Sequence, residues 1–200
     1  MKRDFITAAI GIVVLTLFCG IVYPLVITGI SQVAFPGNAN GQEVHVDGKL
    51  VGSQEIGQNF GGKPRYFQSR PSATTPPNNA AATTFSNLGP NNVATEREIA
   101  ANIKAYIALN GPYFPGKLTS ANVPVDAANT SASGIDPDIS VRNADIQAHR
   151  VAAVRHVPLA AVMKLVSRYT GGRGLGFSGE PGVDVLDLNL ALDRMTGVHA

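Results

Sequence analysis

Between Asp4 and Glu43 the chain carries no formal charge, and that gap constrains its fold more than any other feature. The run from Phe5 to Phe35, FITAAIGIVVLTLFCGIVYPLVITGISQVAF, is 31 residues long. As a helix rising about 1.5 Å per residue it would extend roughly 46 Å, more than a hydrocarbon core of about 30 Å requires. It predicts a transmembrane helix over residues 6–30, with Ser31 and Gln32 entering the far interface and Pro36-Gly37 stopping it. Lys2 and Arg3 lie directly before the span, whereas the next basic residue is Lys49, beyond Glu43 and Asp47. The positive-inside bias assigns residues 1–5 to the cytoplasm, 31–47 to a tether and 48–200 to an extracytoplasmic domain. A cleaved signal peptide would have an apolar core of only about 7 to 15 residues and a small-x-small cleavage site, which Gln32 before Ala34 fits poorly.

The remaining composition narrows the function. Charged residues make up 15% of the 200, the net charge is +2 and no basic cluster occurs, so the chain lacks the electrostatic footprint of a nucleic-acid binder. Cys19 is the only cysteine, so an outer domain must hold together by its core, which the about 165 residues beyond the span are enough to bury. Thr7 with Gly11 and Thr16 with Gly20 are small-residue pairs that would let a second helix approach in lipid. A lone lipid-facing span fits the same composition. Pro24 should kink the outer third of the helix and free a backbone carbonyl.

After the tether, residues 49–56 read as a strand following the Asp47-Gly48 turn, and 65–68 as a second short strand. Residues 69–92, rich in Ser, Thr, Pro and Asn and free of charge after Arg70, read as an irregular loop. Thr95 and Glu98 form a capping box for a helix with Ile99, Ile103 and Ile107 on one face, ended by Asn110-Gly111-Pro112. A strand is expected over 123–128. Ser140 should cap a helix from Val141 that ends before Val157-Pro158, and a second helix then carries Leu159, Val162, Val166 and Tyr169. Residues 183–192 read first as strand and then as helix. The fold class is α/β (α+β) with one N-terminal anchor, and its strand order does not follow from the pattern.

Few residues advertise chemistry. Gly174-Leu175-Gly176-Phe177-Ser178-Gly179 spells G-x-G-x-x-G, but a dinucleotide site needs strand before and helix after, the reverse of the order here. No phosphate loop and no nucleophile elbow occur, and His45, His149, His156 and His199 show no ligand spacing, so neither a catalytic nor a metal site is expected. Asp136 and Asp138 are expected to fix a turn before the Ser140 helix, with acid/base or cation chemistry as the alternative. Gln147 and Arg150 share a helical face and Arg155 lies near that helix's end. They read either as a solvated face with a cap or as a contact surface for another subunit.

Motifs in a fixed order make the chain resemble a known family. Tyr23-Pro24-Leu25 is followed by Gly52-Ser53, Ile56-Gly57-Gln58, Phe60, Pro64-x-Tyr66-Phe67-x-Ser69-Arg70-Pro71-Ser72 and Ser86-Asn87-Leu88-Gly89-Pro90. Ser131-x-Ser133-Gly134-x-Asp136-Pro137-x-Ile139-Ser140, Gln147 to Arg150-Val151-Ala152 and Val183-x-Val185-Leu186-x-Leu188-Asn189 complete the series. Together they resemble KdpC, the C-subunit family of the bacterial Kdp potassium-transporting P-type ATPases. The sequence departs from the usual pattern at Ala132, Ile135, Asp138 and Asp184.

The resemblance implies an accessory, non-hydrolysing subunit of a high-affinity potassium importer of the bacterial inner membrane. Its implied partners are the channel-like KdpA, the phosphorylated ATPase subunit KdpB, the small peptide KdpF and lipid, and ATP, Mg²⁺ and K⁺ are implied for the complex. It also implies a catalytic-chaperone role, raising the pump subunit's affinity for ATP. Gln147 would be a nucleotide contact only if the domain faced the cytoplasm, against the charge bias. Thr7, Gly11, Thr16, Gly20, Asp136, Arg150 and Arg155 are the candidates for partner contact. The competing reading is a signal-anchored periplasmic enzyme or ligand-binding module.

Overall fold

The N-terminal apolar run folds as one long helix. The structure, a computed structural model, describes residues 1–174 and 176–197, and the chain divides between Glu43 and Val44 into two units. In the first, α1 (Lys2–Leu17) passes through a π-helical turn, Phe18–Val22, into α2 (Tyr23–Ala34). The 33 residues are long and apolar enough to cross a membrane, and none of their most apolar stretch is buried within the chain. The π turn has a cause in the sequence: Pro24 lacks the N–H that would bond Gly20, and Tyr23 N–H reaches back five residues to the Phe18 carbonyl. Phe35 leaves helical geometry and Pro36 opens one further turn, α3 (Pro36–Ala39). There the side-chain amide of Asn40 donates to the Pro36 carbonyl at 2.7 Å.

The second unit is mixed helix and small sheets. β1 (Glu43–Val46) and β2 (Lys49–Ser53) form a hairpin. Asp47 and Gly48 both take positive φ, 51° and 76°, which suits a two-residue turn. The strand expected over 49–56 ends at Ser53, with one bridge to Ile56, and β1 occupies part of the stretch read as a tether. Residues 72–92 are irregular apart from one 3₁₀ turn at Ala80–Ala82. They are pinned where Ser72 Oγ donates to the Gly134 carbonyl at 2.6 Å and accepts from Asn78 N–H at 3.0 Å. Gly134 has φ of 74°, and a Cβ there would meet the Thr84 carbonyl at 2.7 Å, so both conformation and space require glycine.

α4 (Val93–Asn110) starts two residues before the expected cap. Asn92 accepts from Ala94 N–H at 2.8 Å, and the Thr95 hydroxyl donates instead to the Gly89 carbonyl. It stops at Asn110, as Gly111-Pro112 predicted. The strand expected over 123–128 is a helical turn, α5 (Val125–Ala128). Pro124 sets its entry, and the Asp126 carboxylate turns inward to accept from Ser140 Oγ at 2.8 Å and Asn143 Nδ2 at 2.8 Å.

Next come β3 (Asp138–Ser140), α6 (Val141–Arg155), α7 (Leu159–Arg168), β4 (Gly182–Asp184) and α8 (Val185–Thr196). β3 and β4 pair antiparallel, Asp138 opposite Asp184 and Ser140 opposite Gly182. Each strand runs straight into a helix whose first turn is capped by the strand's last residue. Ser140 Oγ accepts from Asn143 N–H at 3.1 Å, and Asp184 Oδ1 from Asp187 N–H at 2.6 Å. α6 ends at His156, φ 55°, and α8 at Gly197, φ 65°. The core gathers Phe67, Ile139, Ala144, Ala148, Val151, Val162, Val166, Val183, Leu188 and Leu192 around α6, α7 and α8.

Candidate functional site

The densest polar chemistry lies where residues 64–68 cross the core. The segment is not the strand its sequence suggests: Pro64 and Arg65 form a turn closed by the Tyr66 N–H donating to the Lys63 carbonyl at 3.1 Å, and side chains supply its other hydrogen-bond partners. Phe67 N–H donates to Asn189 Oδ1 and the Phe67 carbonyl accepts from Asn189 Nδ2, both at 2.9 Å. Gln147 repeats the device at Gln68, accepting from its N–H at 2.8 Å and donating to its carbonyl at 3.1 Å. Two amide side chains from α6 and α8 thus stand in for neighbouring strands, and Phe67 is driven into the core at 0% exposure.

Arg150 fastens the same segment. It is wholly buried and donates to the Pro64 carbonyl, to the Tyr66 carbonyl at 2.9 Å, to Asn110 Oδ1 at 2.9 Å and to Gln147 Oε1 at 2.9 Å. No carboxylate faces it among the described residues. Burial lowers its pKa to about 10, the largest effect, so the guanidinium stays protonated at neutral pH among carbonyl dipoles. One turn on, Arg155 donates to the Arg65 carbonyl at 2.7 Å and forms an ion pair with Asp193 at 2.8 Å. The pair is 2% and 7% exposed, and the Asp193 carboxylate also accepts from the Tyr66 hydroxyl at 3.1 Å. Burial first, and Asp193 second, push the Tyr66 phenol up.

The structure brings Gln147 and Arg150 together and places Arg155 on a separate cluster beside them. Neither arrangement is the solvated face the helical spacing allowed: Gln147 is 1% and Arg150 0% exposed, with their polar atoms turned onto their own chain. Asp136 is part-exposed, paired with Arg70 at 2.7 Å, and its other oxygen accepts from Asp138 N–H at 3.1 Å, the turn-fixing role expected of it. His149 packs edge-on against Phe114. Among the described residues no three His, Cys, Asp or Glu side chains form a group that could hold a metal. The glycine-rich stretch joins α7 to β4, and Leu175 and His199 lie outside the described residues.

Besides a cleft of about 300 Å³ against Arg65 and Arg155, two others border this polar layer. One of about 170 Å³ lies between α4 and α6 against Gln68, Tyr106 and Gln147. Burial raises the Tyr106 phenol well above its ordinary range, and its hydroxyl donates to Asn143 Oδ1 at 2.8 Å. The other, about 480 Å³, runs between β2 and α8 past Phe60, Lys63, Tyr66 and Asp193. In the first unit the spacing of Thr7, Gly11, Thr16 and Gly20 falls on a helix with nothing of its own chain against it. Added Cβ atoms at Gly11 and Gly20 meet nothing within 4 Å, and Thr7 Oγ donates to the Arg3 carbonyl at 2.9 Å.

The comparisons with known proteins agree on one family over nearly the whole chain. The profile of KdpC, described as "K+-transporting ATPase, c chain", matches residues 5–194. A curated protein of Methylococcus capsulatus, "Potassium-transporting ATPase KdpC subunit", is 47% identical over 196 residues, covering 98% of this chain and 100% of the relative. Proteins of the same description from Mycobacterium tuberculosis H37Rv and Herminiimonas arsenicoxydans are 44% and 45% identical over 195 residues each, covering 98% and 97% of this chain and 100% and 99% of the relatives. With one membrane-length helix, a mixed helix-and-sheet unit behind it and this agreement from end to end, the chain belongs to the KdpC family, the c chains of the K⁺-transporting ATPases.

Proposed function

We propose that the chain is the accessory, non-hydrolysing subunit of an ATP-driven high-affinity potassium importer. Lys2–Ala34 fixes it in the bacterial inner membrane, the N-terminus is cytoplasmic, and the folded unit stands on the periplasmic side, where it stabilises the assembly. The observation that carries this reading is the span itself: 33 residues of apolar helix whose surface its own chain leaves uncovered. Such a surface is built to be covered by lipid and by other spans, and the small residues Thr7, Gly11, Thr16 and Gly20 give a partner helix room to approach. The neighbours are the KdpA channel-like subunit, the KdpB ATPase subunit and the KdpF peptide. Asp136, which is part-exposed, is the polar contact left open to them outside the membrane. Arg150 and Arg155 act indirectly, by holding residues 64–68 in shape.

In this reading ATP and Mg²⁺ are handled by KdpB and K⁺ by KdpA. A rise in KdpB's affinity for ATP passes through contacts between chains. Gln147 serves the fold, since both its amide atoms are spent on Gln68. The 480 Å³ cleft beside Tyr66 and Asp193 is the feature that favours the competing reading, a signal-anchored ligand-binding module or enzyme. Affinity purification of the tagged full chain from mild detergent separates the two. Fixed-ratio recovery of two larger membrane proteins, with no ATP hydrolysis by this chain alone, is expected. Recovery of the chain by itself, or hydrolysis by it unaided, would overturn the proposal.

A further inference from the structure

Two guanidinium groups lie against the Tyr66 ring, Arg155 at 5.0 Å and Arg65 at 5.5 Å from its centroid. Arg155 is fully committed: it donates to the Arg65 carbonyl, to Thr196 Oγ and to Asp193. Asp193 is spent in turn on Arg155 and on the Tyr66 hydroxyl. Arg65 differs. Its side chain enters no ion pair and no hydrogen bond among the described residues, and its Nε is closed to solvent with no acceptor. Arg70 Nε is in the same position, but the Arg70 guanidinium is anchored on Asp136 at 2.7 Å.

Beside Arg65 lies the cleft of about 300 Å³, which Val154, Arg155 and Thr196 also line. Because Asp193 cancels Arg155, the lining carries one uncompensated positive charge, that of Arg65. The helix ends that border the cleft are already capped. At the end of α6 the Ala152 and Ala153 carbonyls accept from His156 N–H, and at the end of α8 the Leu192 and Asp193 carbonyls accept from Thr196 Oγ and Gly197 N–H. A part-buried cation that its own chain leaves without an acceptor is costly, so an anion arriving there recovers what desolvation took.

We propose that this cleft is an oxyanion site, in which the two terminal nitrogens of Arg65 take a carboxylate carried on a short aliphatic stem. The planar fork matches the two oxygens of a carboxylate and gives two parallel N–H···O bonds, which a spherical halide cannot accept in the same way. The Tyr66 ring and the enclosed Nε hold the guanidinium in one place, so little freedom is lost on binding. Val154 supplies an apolar wall for the stem. Two sources carry this chemistry: a free short-chain carboxylate, and an aspartate or glutamate side chain of a neighbouring subunit. The site belongs to the folded unit alone and stands whether or not the assembly reading does.

The test is a sodium acetate titration of the full wild-type chain in detergent micelles, read on the Arg65 Nε–H cross-peak in ¹H–¹⁵N spectra, with sodium chloride at matched ionic strength as the reference. The Arg65 signal should shift saturably, with half-saturation on the order of tens of millimolar, the range a single charge-assisted pair supports. Arg70 Nε–H, whose guanidinium already holds Asp136, should stay in place. An Arg65 signal that does not move, or moves no further than in chloride, would overturn the proposal. Melting gives a second reading: acetate should raise the melting temperature above chloride in the wild type and not in Arg65→Gln, and an equal rise in both would also overturn it. The source is read in the complex recovered with its partner subunits. An Arg65 shift lost there assigns the carboxylate to a neighbouring chain, and a shift retained there assigns it to a free anion; either supports the site. Failure to recover a complex would count against the assembly reading alone, and the titration of the isolated chain would still decide the site.

Discussion

Replacing Arg150 by methionine should destabilise the folded unit by about 3 kcal/mol. Methionine keeps most of the volume, so the cost falls on the acceptors the guanidinium leaves. The Tyr66 carbonyl still accepts from Gln68 Nε2 at 3.0 Å, and Gln147 Oε1 from Gln68 N–H at 2.8 Å. The Pro64 carbonyl and Asn110 Oδ1 lose the donor that satisfies them. Asn110 Oδ1, on a buried residue, is orphaned at about 1–3 kcal/mol, and the Pro64 carbonyl, on an exposed residue that water can reach, adds about 1 kcal/mol, which gives about 2–4 kcal/mol. At roughly 2–4 °C per kcal/mol for a unit of this size, melting should fall by about 6–12 °C. Tyrosine near-UV circular dichroism of the full chain in detergent reads the loss directly, since Tyr66 and Tyr106 border the site. A change of less than about 1 kcal/mol would show that Arg150 does not hold residues 64–68.

Asp193→Asn should cost about 3 kcal/mol by leaving Arg155 buried without its counter-charge, and Arg155→Met combined with Asp193→Leu should cost less than the sum of the two single changes; a urea double-mutant cycle checks this. Gly57→Ala should destabilise by about 1–3 kcal/mol, because its Cβ would stand 2.3 Å from the Asp136 carbonyl; unchanged urea unfolding would contradict the close approach. Gly20→Leu should leave the melting of the isolated chain unchanged, since nothing of its own chain lies within 4 Å, while lowering co-recovery with partner subunits; undiminished recovery would make this face lipid-facing.

The helices were legible wherever a local signal set them. Ser140 caps α6, Asn110-Gly111-Pro112 ends α4, and Asp47-Gly48 turns the first hairpin, each as its residue chemistry predicted. Errors arose where distant groups decide. Residues 65–68 have strand character in sequence, but a turn from Lys63 to Tyr66 bends them, and Gln147 and Asn189, about 80 and 120 positions away in sequence, supply the partners a ladder would. Residues 123–128 carry enough valine and alanine to suggest a strand, yet Pro124 and the inward pull on Asp126 by Ser140 and Asn143 curl them into α5. The Thr95 box lost to Asn92, which offers a competent cap one turn earlier. Gln147, Arg150 and Arg155 drew notice as polar residues near one helix face. Their burial could not be read from spacing, because the carbonyls that justify it belong to an irregular segment.

Sidedness tests the central assignment most directly. With Cys19→Ala removing the native thiol, a single cysteine at the exposed position of Asn91 reports which face of the membrane carries the folded unit. A membrane-impermeant maleimide applied to intact spheroplasts should label Asn91→Cys fully. Labelling that appears only after the membrane is opened would put the folded unit in the cytoplasm and contradict the outward-facing assembly role.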